Sequence, residues 1–373
     1  MHSVLSRTDD SILGQWWWTV DRTVLGAIAL LMGIGLMLSF AASPSIAQHL
    51  NLPSFYFAFR HAAYLLPLTL ILISVSLLSV QNVKRLAVLI FLLSLALTFT
   101  TLFTGVEVKG ARRWLSLGGM SLQPSEYLKP SLVVLSAWMF SEAHMSPQVP
   151  GRLIAFSLLL ICATALVLQP DFGMLVLIIV VWFAQFFLAG MPLLWIAGML
   201  LMGGSGLFMS YLLLPHVARR IDLYLSPNPA DRFSGQYQIT QSLEAFMHGG
   251  LLGQGPGEGV IKRNLPDAHA DFVFAVAGEE FGMILCVLIA GLFMFIVLRS
   301  MMRAMLQNDL FSLLAVSGLV TGFGLQAMIN IASTLGLIPT KGMTLPFLSY
   351  GGSSMLALAL TMGMVLALTR RRV

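Results

Sequence analysis

Residues 273–298 read VFAVAGEEFGMILCVLIAGLFMFIVL. From Phe281 to Leu298 there is no polar side chain at all, so a helix formed there has no face to offer to water. About 20 apolar residues suffice to cross the hydrocarbon core of a bilayer, and this stretch is long enough. Working outward, comparable runs fall at roughly 23–43, 61–80, 86–105, 125–143, 153–168, 174–189, 192–214, 310–335 and 351–369. The chain is therefore expected to be an all-α polytopic membrane protein, a single membrane domain over 1–373 with about ten transmembrane helices. Composition agrees: 57% of residues are hydrophobic and 10% charged, against roughly a quarter charged in a soluble domain. A soluble globular enzyme is excluded. Cys162 and Cys286 both sit inside apolar runs, which also excludes a disulfide framework and a cysteine-based metal site.

The first run follows a polar and aromatic stretch, Arg7 to Arg22, with no small-residue cleavage site ahead of a soluble domain, and is expected to stay as a membrane helix. An even number of spans puts both termini on one side. Cations concentrated in short segments, with Arg370, Arg371 and Arg372 at the end, favour cytoplasmic termini for the segments 1–22 and 370–373. Residues 215–272 then form a large extracytoplasmic loop between the seventh and eighth spans. Arg112, Arg113, Lys262, Arg263 and Lys341 also fall outside, where insertion does not require them, and an anionic ligand would give them a use.

Several polar constellations are candidates for chemistry. Arg112 and Arg113 beside Trp114 describe either an interfacial anchor or a grip on phosphate. Glu126 and Lys129, three apart on one helix face, are expected to pair within the membrane, structurally or as part of a site. The two short runs 153–168 and 174–189 are joined by Gln169-Pro170-Asp171-Phe172-Gly173, where Asp171 either caps the next helix or lines a cavity, the cap being favoured. Ile239, Leu243, Phe246 and Met247 share one helical face, which predicts an amphipathic helix on the membrane surface ended by Gly249-Gly250. The following Gly253 to Gly259 lacks the strand and the Gly-Lys-Ser/Thr of a nucleotide loop; at most its backbone approaches a phosphate. Lys262 to Gly282 then places two cations, Asp267, Asp271 and His269 at the mouth of a helix, with Glu279 and Glu280 further in. Asp271 reads about equally as a helix cap, a general base or a carboxylate for a divalent cation, and His269 as a hydrogen-bonding residue. Residues 336–354, rich in Gly and Pro, predict a re-entrant loop packed inside protein.

The stretches Ala111-Arg112-Arg113-Trp114, Gln123-Pro124-Ser125-Glu126, Gln169 to Gly173, Leu265 to Phe274 with Gly278 to Gly282, and Leu345 to Ser354 together resemble the SEDS family (shape, elongation, division and sporulation), in order and over essentially the whole chain. Thr340 to Pro346 is similar to the division-type branch rather than the elongation type. The resemblance implies a peptidoglycan glycosyltransferase that polymerises lipid II at the outer face of the cytoplasmic (inner) membrane, at the division septum. It places the family's essential aspartate at Asp271, within His269-Ala270-Asp271-Phe272. Ala270 stands where the family usually has a hydroxyl residue, so no hydroxyl acts at that position here. Asp271 is then the general base or a metal-holding carboxylate for a cation such as Mg or Mn, with no organic cofactor. Arg112, Arg113, Lys262, Arg263 and Lys341 are expected to bind the leaving group and substrate phosphates, while Trp114, Glu126, Lys129, Asp171 and His269 line the substrate site. Implied partners are a class B penicillin-binding transpeptidase (FtsI-like) and divisome regulators of the FtsQ, FtsL and FtsB type, with no nucleic acid. The competing readings are a lipid II flippase using Glu126, Lys129, Asp171 and Glu280 as a polar path, without the expected inverted repeat, and a scaffold, which leaves Asp271 and the cations without a task.

Overall fold

The structure, a computed structural model, describes residues 11–108, 111–117, 120–190, 193–213, 218, 222, 235–340 and 342–370. Lys341 and most of 214–234 lie outside the described residues. Twelve α-helices are seen there: α1 Ile12–Thr19, α2 Arg22–His49, α3 Tyr56–Ser76, α4 Val80–Thr104, α5 Ser125–Met145, α6 Gly151–Leu168, α7 Phe172–Leu188, α8 Leu193–Leu213, α9 Gly235–Gly249, α10 Val273–Met305, α11 Leu310–Thr334 and α12 Gly352–Leu368. Each apolar run in the sequence falls on one of α2–α8 or α10–α12. Six of them, α2, α3, α4, α6, α10 and α11, are long and apolar enough by themselves to cross a membrane, so the chain is a multi-pass membrane protein.

The helices overrun the apolar runs because the backbone ladder is indifferent to side-chain charge. α4 starts at Val80, capped by the Ser79 hydroxyl, six residues before the expected boundary set by Lys84 and Arg85. Lys84 is accommodated by laying its ammonium 4.3 Å over the Phe311 ring and 5.2 Å over Trp138. α12, almost entirely buried, runs through the middle of the bundle against α3, α5 and α11. At one end of the bundle Arg370, just past α12, donates to Thr19, the last residue of α1, so both ends of the described chain meet there. Asp21 caps α2 at this end and accepts from Arg299 at 3.0 Å and Arg303 at 2.7 Å.

The opposite end departs from expectation in three places. The described residues of 105–124 form a three-stranded antiparallel sheet, β1 Val106–Val108, β2 Ala111–Leu117 and β3 Met120–Leu122, rather than a plain interfacial segment. The reason is a period of two in β2: Ala111 and Leu115 are buried while Arg112 and Ser116 are exposed, and Arg113 shares the inward parity. α9 is a helix where expected, docked in protein on a face that keeps Ile239 and Phe246 of the expected one but not Leu243 and Met247. Ile239, Ser242 and Ala245 are buried, whereas Leu243 is 38% and Met247 74% exposed. Small residues decide this, since a Cβ on Gly249 would lie 1.9 Å from the Gly278 carbonyl oxygen of α10.

The third departure is a break in α10. Gly282 has φ 77°, outside helical space, and the chain just after α9 enters the gap. Met283 and Ile284 donate to the Gly250 and Leu251 carbonyls instead of to α10, and the freed carbonyls of Glu279 and Glu280 accept from Gln254 and Gly255 at 3.0 Å each. Two helix bonds are thus exchanged for four loop bonds, so these four backbone groups stay paired, as a low-dielectric interior demands. The Gly253–Gly259 backbone is in part committed to α10. The re-entrant loop is found inside protein over 345–349: Leu345, Phe347 and Leu348 are buried, and only glycine at position 35 of α2 leaves room for the Phe347 carbonyl.

Candidate functional site

Asp271 lies at the head of α10 in a turn built on Asp267, whose backbone takes φ 54° and whose carbonyl accepts from the Ala270 and Asp271 amides at 3.0 Å each. Asn330 on α11 fixes this turn from behind. Its side-chain NH2 donates to the Asp271 carbonyl at 2.8 Å and to the Met343 carbonyl at 2.6 Å, tying the α10 head to the re-entrant loop. The Asp271 carboxylate faces Gly342, where an added Cβ would sit 3.3 Å from Oδ2. The Tyr350 amide donates to the His269 carbonyl at 2.9 Å, and the imidazole lies between Phe57 of α3 at 4.5 Å and the Tyr350 ring at 5.6 Å. Burial lowers the His269 pKa from its usual value, with Asp267 pulling the other way, so the ring is neutral at neutral pH. His269 is therefore a packed, uncharged member of an aromatic wall rather than a cation.

Next to this wall the Glu126–Lys129 pair forms as expected, at 2.7 Å. It belongs to a ring of hydrogen bonds: Lys129 donates to Gln326 at 2.8 Å, Gln326 to the Thr344 carbonyl at 3.1 Å, Thr344 shares a bond with Ser354 at 2.9 Å, and Ser354 donates to Glu126 at 3.4 Å. α5, α11, the re-entrant loop and α12 are locked together by it. The polar groups that would mark a translocation path are largely spent on each other.

Two of the expected phosphate-binding cations have protein partners of their own. Arg113, on the inward side of β2, donates to the Gln169 and Pro170 carbonyls and approaches Asp171 at 3.7 Å. It anchors the sheet to the α6–α7 turn, and Asp171 caps α7 through the Met174 amide at 3.3 Å. Lys262 is 4% exposed; its ammonium pairs with Glu280 and donates to the Ala41 carbonyl at 2.9 Å. Burial of a cation demands such a partner, and charge that looked available in the sequence is consumed. Arg112 pairs with Glu107 at an exposed position, Trp114 is half-buried on the sheet, and Arg263 is exposed.

Glu279 was not singled out by sequence as more than a neighbour of Glu280. Fully buried, it accepts from the Val260, Ile261 and Lys262 amides at 2.7, 2.7 and 2.9 Å and meets His248 at 3.2 Å, so it holds the chain leading to Asp271. Gln326 and Asn330 also escaped notice, although two amides four residues apart in an apolar run carry the signal of an intramembrane polar site. Among the described residues no three His, Cys, Asp or Glu side chains gather as a metal cage. Asp271 thus offers a divalent cation a carboxylate but, among the described residues, less than a full protein cage.

Residues 22–373 match the family model FTSW_RODA_SPOVE, described as cell cycle protein. The chain is 48% identical over 368 residues to a probable peptidoglycan glycosyltransferase FtsW of Caulobacter vibrioides, covering 98% of this chain and 93% of that one. It is 37% identical to the Coxiella burnetii protein of the same name, covering 94% and 96%. Among solved structures it resembles a chain reported under "Structural coordination of polymerization and crosslinking by a peptidoglycan synthase complex", with TM-score 0.77, 26% identity and coverage of 95% and 98%. The Thermus thermophilus rod shape determining protein RodA is similar at TM-score 0.67 and 25% identity, covering 95% and 97%.

Proposed function

The chain belongs to the FtsW, RodA and SpoVE family of cell cycle proteins, the SEDS family, and from that premise we propose that it is a peptidoglycan glycosyltransferase that polymerises lipid II during septal wall synthesis. The observation that carries the reading to a residue is the clamping of Asp271: its turn is held by Asn330 and the re-entrant loop while its carboxylate stays half-buried beside Gly342. A general base must be fixed within reach of one proton, and rigid support of this kind meets that need. In the proposed step the acceptor sugar hydroxyl attacks the anomeric carbon of the donor. Its proton passes to Asp271, the new glycosidic bond forms, and the bond from that carbon to the pyrophosphate oxygen breaks, releasing polyprenyl pyrophosphate. Arg112 and Arg263, with Lys341 from outside the described residues, are assigned to the charge that develops on the leaving group. A divalent cation, Mg or Mn, would come bound to the pyrophosphate, with Asp271 as one ligand from the protein.

The cation distribution of the short segments supports an extracytoplasmic side for the end of the bundle bearing Asp271, with the termini cytoplasmic. Lipid II itself presents a polyprenyl tail to the bilayer and a pyrophosphate-disaccharide to this end. The synthase-complex likeness supports a class B transpeptidase as partner. The test is glycan-strand synthesis from lipid II by the purified protein with a class B transpeptidase. Asp271→Asn is expected to lower the rate by about 10² to 10⁴ with the fold intact; an unimpaired, folded Asp271→Asn protein defeats the assignment, and lipid II crossing vesicles without polymer would replace it by a flippase.

A further inference from the structure

A groove of about 520 Å³ runs along α2 and under the Gly-rich chain that follows α9. That volume lies within the roughly 300–1,000 Å³ of ligand pockets. Its wall is mainly apolar, with Met37, Phe40 and Pro44 on α2, Phe55 beyond it and Phe281 at the break in α10, and Ser45 and Gln48 join it toward the end of α2. Met37, Phe40 and Phe55 are 40%, 39% and 45% exposed, a concave apolar surface on a helix long enough to span a membrane. Its polar rim carries Arg263 and Lys262, and the Lys262 ammonium is bonded to the wall itself at the Ala41 carbonyl. Glu280 offsets the Lys262 charge, so Arg263 supplies the net positive charge of these three. Gly257, with φ 87° and nothing within 4 Å of where a Cβ would stand, leaves the roof open.

The wall of the groove is tied to the Asp271 turn by packed rings. The Phe40 ring packs on Phe55 at 5.8 Å, and Phe57, two residues on, packs on His269 at 4.5 Å, two residues before Asp271. An apolar channel with a cation at one rim fits a ligand that is a long hydrocarbon at one end and a strong anion at the other. The Arg263 guanidinium offers the planar fork that binds phosphate oxygens in pairs.

We propose that this groove seats the polyprenyl pyrophosphate portion of a lipid-linked substrate, the isoprenoid along Met37, Phe40 and Phe281 and the pyrophosphate at Arg263. The site rests on the glycosyltransferase reading above for the identity of its ligand, and on the groove alone for its position.

The experiment uses the full chain in nanodiscs and a polyprenyl pyrophosphate bearing a diazirine on its isoprenoid chain. Photolabel is expected on α2 between residues 37 and 48 and near Phe281, to be displaced by unlabelled polyprenyl pyrophosphate but not by phosphatidylglycerol. Arg263→Gln, a surface change, is expected to weaken the probe's Kd on the order of tenfold, the loss of one charge-assisted contact. Met37→Trp, which fills the groove from an exposed position, is expected to reduce labelling while size-exclusion behaviour is unchanged. Labelling elsewhere, equal displacement by phosphatidylglycerol, or an unchanged Kd in Arg263→Gln overturns the site. The two readings separate cleanly: polymerisation without groove labelling overturns the groove alone, and groove labelling in a protein that makes no polymer supports the groove while the catalytic reading fails.

Discussion

At the scale of single residues, the structure sorts ionisable groups by what burial does to them. Sequence made Asp271, Glu126 and Lys129 visible because a charge in an apolar setting stands out. It could not separate Arg112 from Arg113, since the distinction is the parity of a strand that composition does not announce, and only the inward one meets the Gln169 and Pro170 carbonyls. Nor could it tell that Lys262 is neutralised by Glu280, eighteen residues away and in contact only once the chain has folded back. Asp21 gives a quantitative prediction at this scale. Burial opposes its charge, but hydrogen bonds from Thr23 and Arg303, with the Arg303 charge, hold its pKa lowered from 3.8 to about 2. A carboxyl depressed in the folded state stabilises fully above pH 3.8 and loses that contribution as pH falls through about 2. The contribution at neutral pH is roughly 2 kcal/mol. Asp21→Asn should lower thermal stability in detergent at pH 7 by that order, and the gap to the unaltered protein should close between pH 4 and pH 2 in the same melting assay.

At the scale of elements, the helices were legible and their interruptions were not. Ten apolar runs each produced a helix because hydrophobic length is a property of consecutive residues. The break at Gly282 depends on four hydrogen bonds to residues 250–255, and glycine alone in an apolar run is too common to signal it. The periodicity of α9 marks the helix and half of its packed face: Ile239 and Phe246 point inward, but Gly249 and Ala245 pack closely where bulk hydrophobicity points to Leu243 and Met247. The clamp at Glu279 makes a direct prediction. Glu279→Gln keeps the size of the side chain but loses the charge that three amides share, and the segment 253–263 should detach from α10. Limited trypsin digestion should then cut after Lys262 and Arg263 at least several-fold faster than in the unaltered protein, with the helical circular dichroism preserved; equal cutting rates would mean that the clamp does not hold the segment. Gly282→Ala should be worse, since its φ of 77° and the Leu251 carbonyl 2.2 Å from a new Cβ leave no room, and folded yield should fall sharply on size exclusion.

For the whole molecule, the bundle presents unequal thickness to lipid. α6 and α7 have 18 and 17 residues, about 27 and 26 Å at 1.5 Å per residue, against roughly 30 Å of hydrocarbon. α12 is as short but is enclosed, so the shortfall matters only on the α6–α7 side, where Leu153, Leu160 and Val180 are exposed. Thermal stability should therefore be higher in nanodiscs of 14- or 16-carbon acyl chains than in those of 20-carbon chains, by a shift of a few degrees; no dependence on chain length would remove this account. The exchange of bonds at Gly282 also has a bearing on biosynthesis. Residues 250–255 precede Gly282 in the chain, so the ribosome delivers the splint before the helix it must mend. When α10 reaches the bilayer, the partners for its four displaced backbone groups already exist, and the broken helix can enter lipid without waiting for any segment still to be translated.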